Sequence, residues 1–452
     1  VTRSGTQGAG GPGGPPPGAA SGAPRPPARP PVAPAGTLSL FDAVNISLGS
    51  IIGAGIFVVL GAAAALSGPA LVLSVVLAAA VSLLTGLATA SLSRMYPRSG
   101  GVYVFTREAI SDFAGFLVGW AWLFSNIIGG ATVAVGFGHY LAFFFPSLPT
   151  AAGIVAVIAV TVLIQLLGAE GSSRFNNILD VVKIAVLLFF SVEAFLHFHA
   201  ANFRPLMPFG VKGLWAGAAT MFFAYAGFAR VAVVADEIKD PRRNVPRATL
   251  LSIGISTAIY FVVAVAAVGG AGAAFLAKSG SPLADAIENM GLRFGAGLVG
   301  FGGLAATSSV LLASLWGISR LAQVMAHERD LPAFIGRAGR RSNAPRNAIL
   351  LGGAAMLGLS FSSDLPHIAY ISSFSVLLYY AALNLSGLKV LKGGMRVVTA
   401  LGFLSCLALM FSLPKRSWIV GAAAVAAGAL FHWATNAARK PGRKRPAGEG
   451  PG

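Results

Sequence analysis

Apolar residues run along this chain in blocks separated by short stretches rich in Gly, Pro, Arg and Lys. The blocks fall near 39–62, 68–92, 113–145, 150–168, 174–199, 213–236, 247–270, 296–325, 345–362, 365–390, 396–413 and 416–435. An α-helix rises about 1.5 Å per residue, so roughly 20 apolar residues match a hydrocarbon core about 30 Å thick. The pattern therefore predicts an all-α membrane protein with twelve transmembrane helices. The blocks at 113–145 and 296–325 are longer than one span requires and too short for two. They predict tilted helices or a helix carrying an extra turn.

Two blocks are interrupted at their centres. The first contains "SLGSIIGAGIF", Ser47 to Phe57, with Gly49, Gly53 and Gly55, although each glycine costs a helix about 1 kcal/mol relative to alanine. Glycine in a spanning helix serves close packing against a neighbour or a break in the helix. A break leaves backbone groups that must line a cavity or bind something, and an exposed half-helix N-terminus offers amides and a positive dipole to an anion. The sixth block, "MFFAYAGFARVAVVADEIKDPRRNVPRA", carries Gly227 among Phe222, Phe223, Tyr225 and Phe228. The two blocks hold matching places if the first ten spans form two repeats of five, residues 37–199 and 200–392, followed by two peripheral helices at 393–436. Matched irregular helices in two repeats point to a solute-binding site.

Composition agrees with a membrane setting: 55% of the 452 residues are hydrophobic and 11% are charged, against roughly a quarter charged in soluble domains. The net charge of +18 raises the question of nucleic acid, but the charge is divided among short loops, which is a topology signal. Counted on alternate sides of the twelve blocks, one side holds 25 Lys and Arg and the other 6; Lys183 and Arg230 lie within blocks. Both termini are therefore expected in the cytoplasm. Residues 1–36, rich in Gly, Pro and Ala and without an apolar core or signal-peptide region, read as a disordered tail, and 437–452 as a basic tail. One cysteine, Cys406, and six scattered histidines support neither a disulfide framework nor a metal site, and no cofactor motif is present.

Four segments in order, "GSIIGAGIF" (Gly49 to Phe57), "YPRSGGVYVFTREA" (Tyr96 to Ala109), "FFAYAGF…ADEIKDPRRNVPRA" (Phe222 to Ala248) and "SRLAQVMAHERDLPAFIGR" (Ser319 to Arg337), resemble the signature segments of the amino acid, polyamine and organocation permeases. The resemblance covers about residues 38 to 435. It implies a broken-helix transporter with ten core helices in two inverted repeats of five, two peripheral helices and an alternating-access cycle in the plasma membrane. It also implies that the amides of Ile52, Gly53, Ala54 and Gly55 hold a substrate carboxylate. Carbonyls of Ser50 or Ile51 and of Phe223, Ala224 and Ala226, beside Gly227, would hold the ammonium group. Two departures stand out. Ala54 replaces a serine found in many relatives, and Ala229-Arg230 stands where many carry an acidic residue after the Gly-aromatic pair. Arg230 is expected to pair with Asp180 or Asp236 or to serve a cytoplasmic gate.

Lys183, in the fifth block, resembles the lysine of proton-coupled members, whose ammonium occupies a sodium site. A lysine can lose its charge in an apolar surrounding where an arginine cannot. It is expected to bond first-helix carbonyls and the hydroxyls of Ser308 and Ser309, with Asp180 an alternative proton carrier. Spans 1, 3, 6, 8 and 10 show no carboxylate in their cores. Neutral amino acids are therefore favoured as substrates, with the aromatic residues beside Gly227 accommodating apolar side chains; cation–π recognition of a cationic side chain stays open. Proton-coupled uptake is the leading expectation, and exchange or cationic amino acid and polyamine transport the alternatives. A channel would be expected to show a repeated pore-lining filter, an enzyme a nucleophile, metal cluster or paired acids, and a transporter-fold sensor a folded signalling domain; none appears in the sequence.

Overall fold

A computed structural model describes residues 36–53, 55–167, 173–337, 345–362 and 364–437. Ala54, the side chain of Arg174 and nearly all of both tails lie outside the described residues. The chain is an all-helical membrane protein. Its helices are α1 (Leu40–Ile51), α2 (Leu60–Ser67), α3 (Leu71–Met95), α4 (Val102–Ala109), α5 (Asp112–Phe144), α6 (Thr150–Leu166), α7 (Ser173–Leu196), α8 (Gly210–Tyr225) and α9 (Arg230–Val233). They continue with α10 (Pro241–Ala271), α11 (Ala273–Leu276), α12 (Pro282–Asn289), α13 (Arg293–His327), α14 (Arg346–Ser360), α15 (Leu365–Val390), α16 (Gly394–Ser412) and α17 (Lys415–Ala437). Among the described residues, eight helical segments are long and apolar enough to cross a membrane; one of them, Leu40–Met95, joins the first two sequence blocks.

Local sequence explains the ends. Ser39 and Asp42 form a capping box at the start of α1: the Ser39 hydroxyl accepts from the Asp42 amide at 3.3 Å, and the Asp42 carboxylate accepts from the Ser39 amide at 2.9 Å. Ser111 caps α5 by accepting from the Ala114 amide at 3.2 Å. Both long blocks are single helices, 33 residues for α5 and 35 for α13, so each reaches about 50 Å and must tilt or protrude from the bilayer. Pro246 lies inside α10, near enough to its start that few intrahelical bonds are lost.

The centre is formed by α1, α3, α5, α8, α10, α13 and α15, which pack on one another. The spanning windows within Gly210–Val233 and Leu365–Val390 are each 83% buried, whereas that within Lys415–Thr435 is 11% buried. Helix α17 is therefore a peripheral element, held to α5 by the Trp120 indole, which donates to the Ala424 carbonyl at 2.9 Å. Buried hydroxyls on the central helices are mostly satisfied one turn back: Thr89 by Thr85 O, Thr132 by Ile128 O and Thr220 by Ala216 O, each at 2.9–3.0 Å. Such local bonds remove polar groups from hydrocarbon without a partner helix.

Candidate functional site

Both predicted interruptions are present. Helix α1 stops at Ile51, the backbone of Ile52 is extended, and the chain resumes with a π-helical turn over Gly55–Val59 before α2. Helix α8 stops at Tyr225, and a 3-10 turn over Ala226–Ala229 leads into α9. Sequence reading offered breaking or close packing as the reason for the glycines; at Gly55 and Gly227 the two coincide. A Cβ on Gly55 would lie 2.3 Å from Ala224 Cα, and one on Gly227 would lie 2.4 Å from the Ser50 carbonyl carbon. The two interruptions thus rest against each other, backbone to backbone.

Carbonyls at these interruptions are capped by tyrosines from distant elements. Tyr260 of α10 donates to Ile51 O at 2.6 Å and also reaches Ala224 O at 3.2 Å. Tyr380 of α15 donates to Ala226 O at 2.8 Å, and Tyr140 of α5 to Phe57 O at 2.6 Å. Sequence reasoning missed these three residues. The available signal was a phenol in an apolar block, since a buried tyrosine hydroxyl nearly always finds a partner.

A cavity of about 50 Å³, measured as space open to water centres, lies where the interruptions meet. A single water needs roughly 10–15 Å³ on that measure, so the cavity is compact. Of the expected site residues, Ser50, Ile51, Gly55, Phe223, Ala226, Gly227 and Arg230 line it. Trp122, Ser125, Asn126, Ser314 and Tyr379, which the sequence did not single out, line it as well. Ile52, Gly53 and Ala224 do not. Gly53 packs on Val310, with 2.1 Å between a would-be Cβ and Val310 Cγ2, and Ala224 stands behind Gly55. Among the four aromatic residues expected around the site, Phe223 alone faces the cavity. Phe222 and Phe228 pack on Tyr380 and Tyr225 packs on Tyr260, because successive residues of a helical segment point to different sides.

Lys183 is fully buried and does not extend to a surface. Its Nζ donates to Gly49 O at 3.3 Å and Ser309 Oγ at 3.1 Å and lies 2.6 Å from Asp180 Oδ1. The lysine therefore ties α7 to the last turn of α1 and to α13, just outside the cavity. Ser308, expected beside Ser309, is half-buried and makes no bond to Lys183; adjacent residues on a helix diverge by about 100°. Arg230 pairs with neither Asp180 nor Asp236. Its Nη2 donates to Asn126 Oδ1 at 3.0 Å, whereas Asp180 meets Lys183 and Asp236 Oδ2 accepts from the Ser99 amide at 3.3 Å.

The remaining signature segments meet at one end of the bundle. Tyr103 of α4 donates to Asp330 Oδ2 at 2.7 Å, and Arg107 Nη1 lies 2.7 Å from the Tyr103 hydroxyl and 3.0 Å from Glu328 Oε2. Arg107 Nε closes the network on Asp112 Oδ1 at 2.9 Å. Burial and the Asp330 charge push the Tyr103 phenol well up from its ordinary value, so it remains a donor.

Two interrupted helices meeting around a central cavity are the arrangement expected of a membrane transporter. The sequence of residues 38–444 matches the family model described as amino acid permease. The chain is 35% identical over 398 residues to an uncharacterized transporter of Mycobacterium tuberculosis, covering 86% of this chain and 89% of that protein. It is 30% identical to the methylthioribose transporter of Bacillus subtilis (88% and 93% covered) and 28% identical to that organism's branched-chain amino acid permease (83% and 88%). The chain belongs to the amino acid permease family of the amino acid, polyamine and organocation superfamily. It is thus a transporter rather than an enzyme.

Proposed function

We propose that the protein is a secondary active transporter that moves amino acids across the plasma membrane by alternating access, with proton-coupled uptake of neutral amino acids as its mode. The observation that carries this reading is the cavity between the two interruptions, lined by Gly55, Gly227 and Phe223. The architecture behind it is twelve spans, ten of them in two inverted repeats of five and two peripheral. The peripheral place of α17 and the paired interruptions support it, and the Lys and Arg asymmetry supports cytoplasmic termini.

Proton coupling rests on Lys183, which groups the chain with the proton-coupled members bearing a lysine in the fifth helix. A charged ammonium bonds Gly49 O and Ser309 Oγ; a neutral amine holds them less strongly, so proton exchange biases α1 against α7 and α13. Exchange without net proton movement is the second reading. The 2.6 Å contact between Lys183 and Asp180 favours it, because a pair that keeps both charges through the cycle carries no proton. No Asp or Glu lines the cavity among the described residues, which supports a solute with a neutral side chain. Counterflow and gradient-driven uptake in proteoliposomes, with a panel of amino acids and with or without an inward pH gradient, test the proposal. Accumulation of a neutral amino acid driven by protons alone is expected. Exchange unaffected by the pH gradient would select the second reading, and no flux of any amino acid would refute both.

A further inference from the structure

Among the residues that line the cavity, Arg230 is the one charged side chain. Asn126 holds it from α5. The Asn126 amide nitrogen donates to Trp122 O at 3.0 Å, which turns its oxygen toward Arg230 Nη2, also at 3.0 Å. The second terminal nitrogen, Nη1, is buried and has no hydrogen-bond partner among the described residues. No Asp or Glu among the described residues lies in salt-bridge range of the guanidinium. A guanidinium keeps its proton, and a buried charged donor such as Nη1 without a partner is costly. An anionic group entering the cavity removes that cost, and a carboxylate fits the planar fork of donors.

We infer that Arg230, oriented by Asn126, is the anion subsite of the central cavity and binds the carboxylate of the transported solute. This rests on reading the cavity as the transport site, and it adds a charged partner to the expected amides, of which that of Gly55 belongs to a residue lining the same cavity. The same lining offers the uncharged Ser125, Ser314 and Tyr379 and the residues Ser50 and Ile51 to the remainder of the solute. A polyamine brings no carboxylate and places like charge against Arg230. Polyamines are therefore rejected by the same residue that holds the anion.

The test is binding to the full chain in lipid nanodiscs, read by calorimetry. The probes are neutral L-amino acids, the same compounds as primary carboxamides, monocarboxylic acids without an amino group, and putrescine. In the wild type at least one carboxylate is expected to bind about ten-fold or more tighter than its carboxamide, with putrescine weakest. That preference should fall to within about three-fold in Arg230→Gln, persist in part in Arg230→Lys, and weaken in Asn126→Ala. Should Arg230→Gln not fold, Arg230→Met answers the same question, since an apolar residue of similar size often tolerates such a position. Arg230-dependent binding of acids with or without the amino group supports the subsite; if acids lacking the amino group are the sole ligands, the amino acid reading falls and the subsite stands. The inference is overturned if the carboxylate preference survives in a folded Gln or Met variant. It is also overturned if no carboxylate binds the wild type or if putrescine binds as tightly as the best acid.

Discussion

Gly55 and Ala224 meet so closely that a methyl group has nowhere to go, since its nearest neighbour would be the Ala224 Cα at 2.3 Å. Backbone cannot swing aside as a flexible side chain can. Gly55→Ala is therefore expected to destabilise the protein by about 1–3 kcal/mol and to weaken solute binding, as read by thermal unfolding in detergent and by calorimetry. Tyr260 makes the converse case. Replacing it by Phe keeps the packing and leaves Ile51 O without its 2.6 Å bond, so Tyr260→Phe should cost about 1–3 kcal/mol by the same thermal measurement. The glycines were legible in the sequence because their residue type conflicts with a spanning helix, and Lys183 because a charge in an apolar block must have a reason. Tyr260 was not legible, because its partner lies 209 positions away in sequence. The facing of Phe228 was also hidden: it depends on the local winding at Ala226–Ala229, which residue types do not specify.

Helices α1 and α8 each give up regular hydrogen bonding at their ends and regain it from α5, α10 and α15 through Tyr140, Tyr260 and Tyr380. Lys183 adds a link from α7 to α1 and α13. Removing it in Lys183→Ala should abolish solute accumulation driven by a pH gradient while leaving gradient-free exchange measurable in proteoliposomes. Accumulation by this variant against a solute gradient would make the lysine structural. The link between α4 and the end of α13 is similarly discrete: Tyr103→Phe removes the donor to the buried Asp330. A loss of about 1.5–3 kcal/mol in thermal stability is expected, because the acceptor is a charged group. Element positions were readable from apolar blocks to within a few residues, with one instructive miss. The seventh block was placed at 247–270, but α10 begins at Pro241. Its first turns, "PRRNVPR", are polar and carry two prolines, so apolar windows cannot see a helix that emerges from the membrane.

Across the whole molecule, the most buried helices surround the cavity, and α17 turns most of its surface outward. Ser50, Arg230 and Tyr379 give the cavity its polarity together with three others, Ser125, Asn126 and Ser314, and Ser50 and Arg230 are the ones that the sequence marked. The other three are ordinary polar residues on long apolar helices, recognisable as functional once α5 and α13 are placed against the interruptions. The central claim is that this cavity opens alternately to the two sides of the membrane. Ser314 lines it and is nearly buried, and the chain has a single native cysteine, Cys406, away from the cavity. The direct measurement is labelling of Ser314→Cys, in a Cys406→Ser background, by a membrane-impermeant thiol reagent applied from either face of sided vesicles. Alternating access predicts labelling from both faces, with the balance shifted by bound solute. Labelling from one face alone, under every solute and pH condition, would contradict the account.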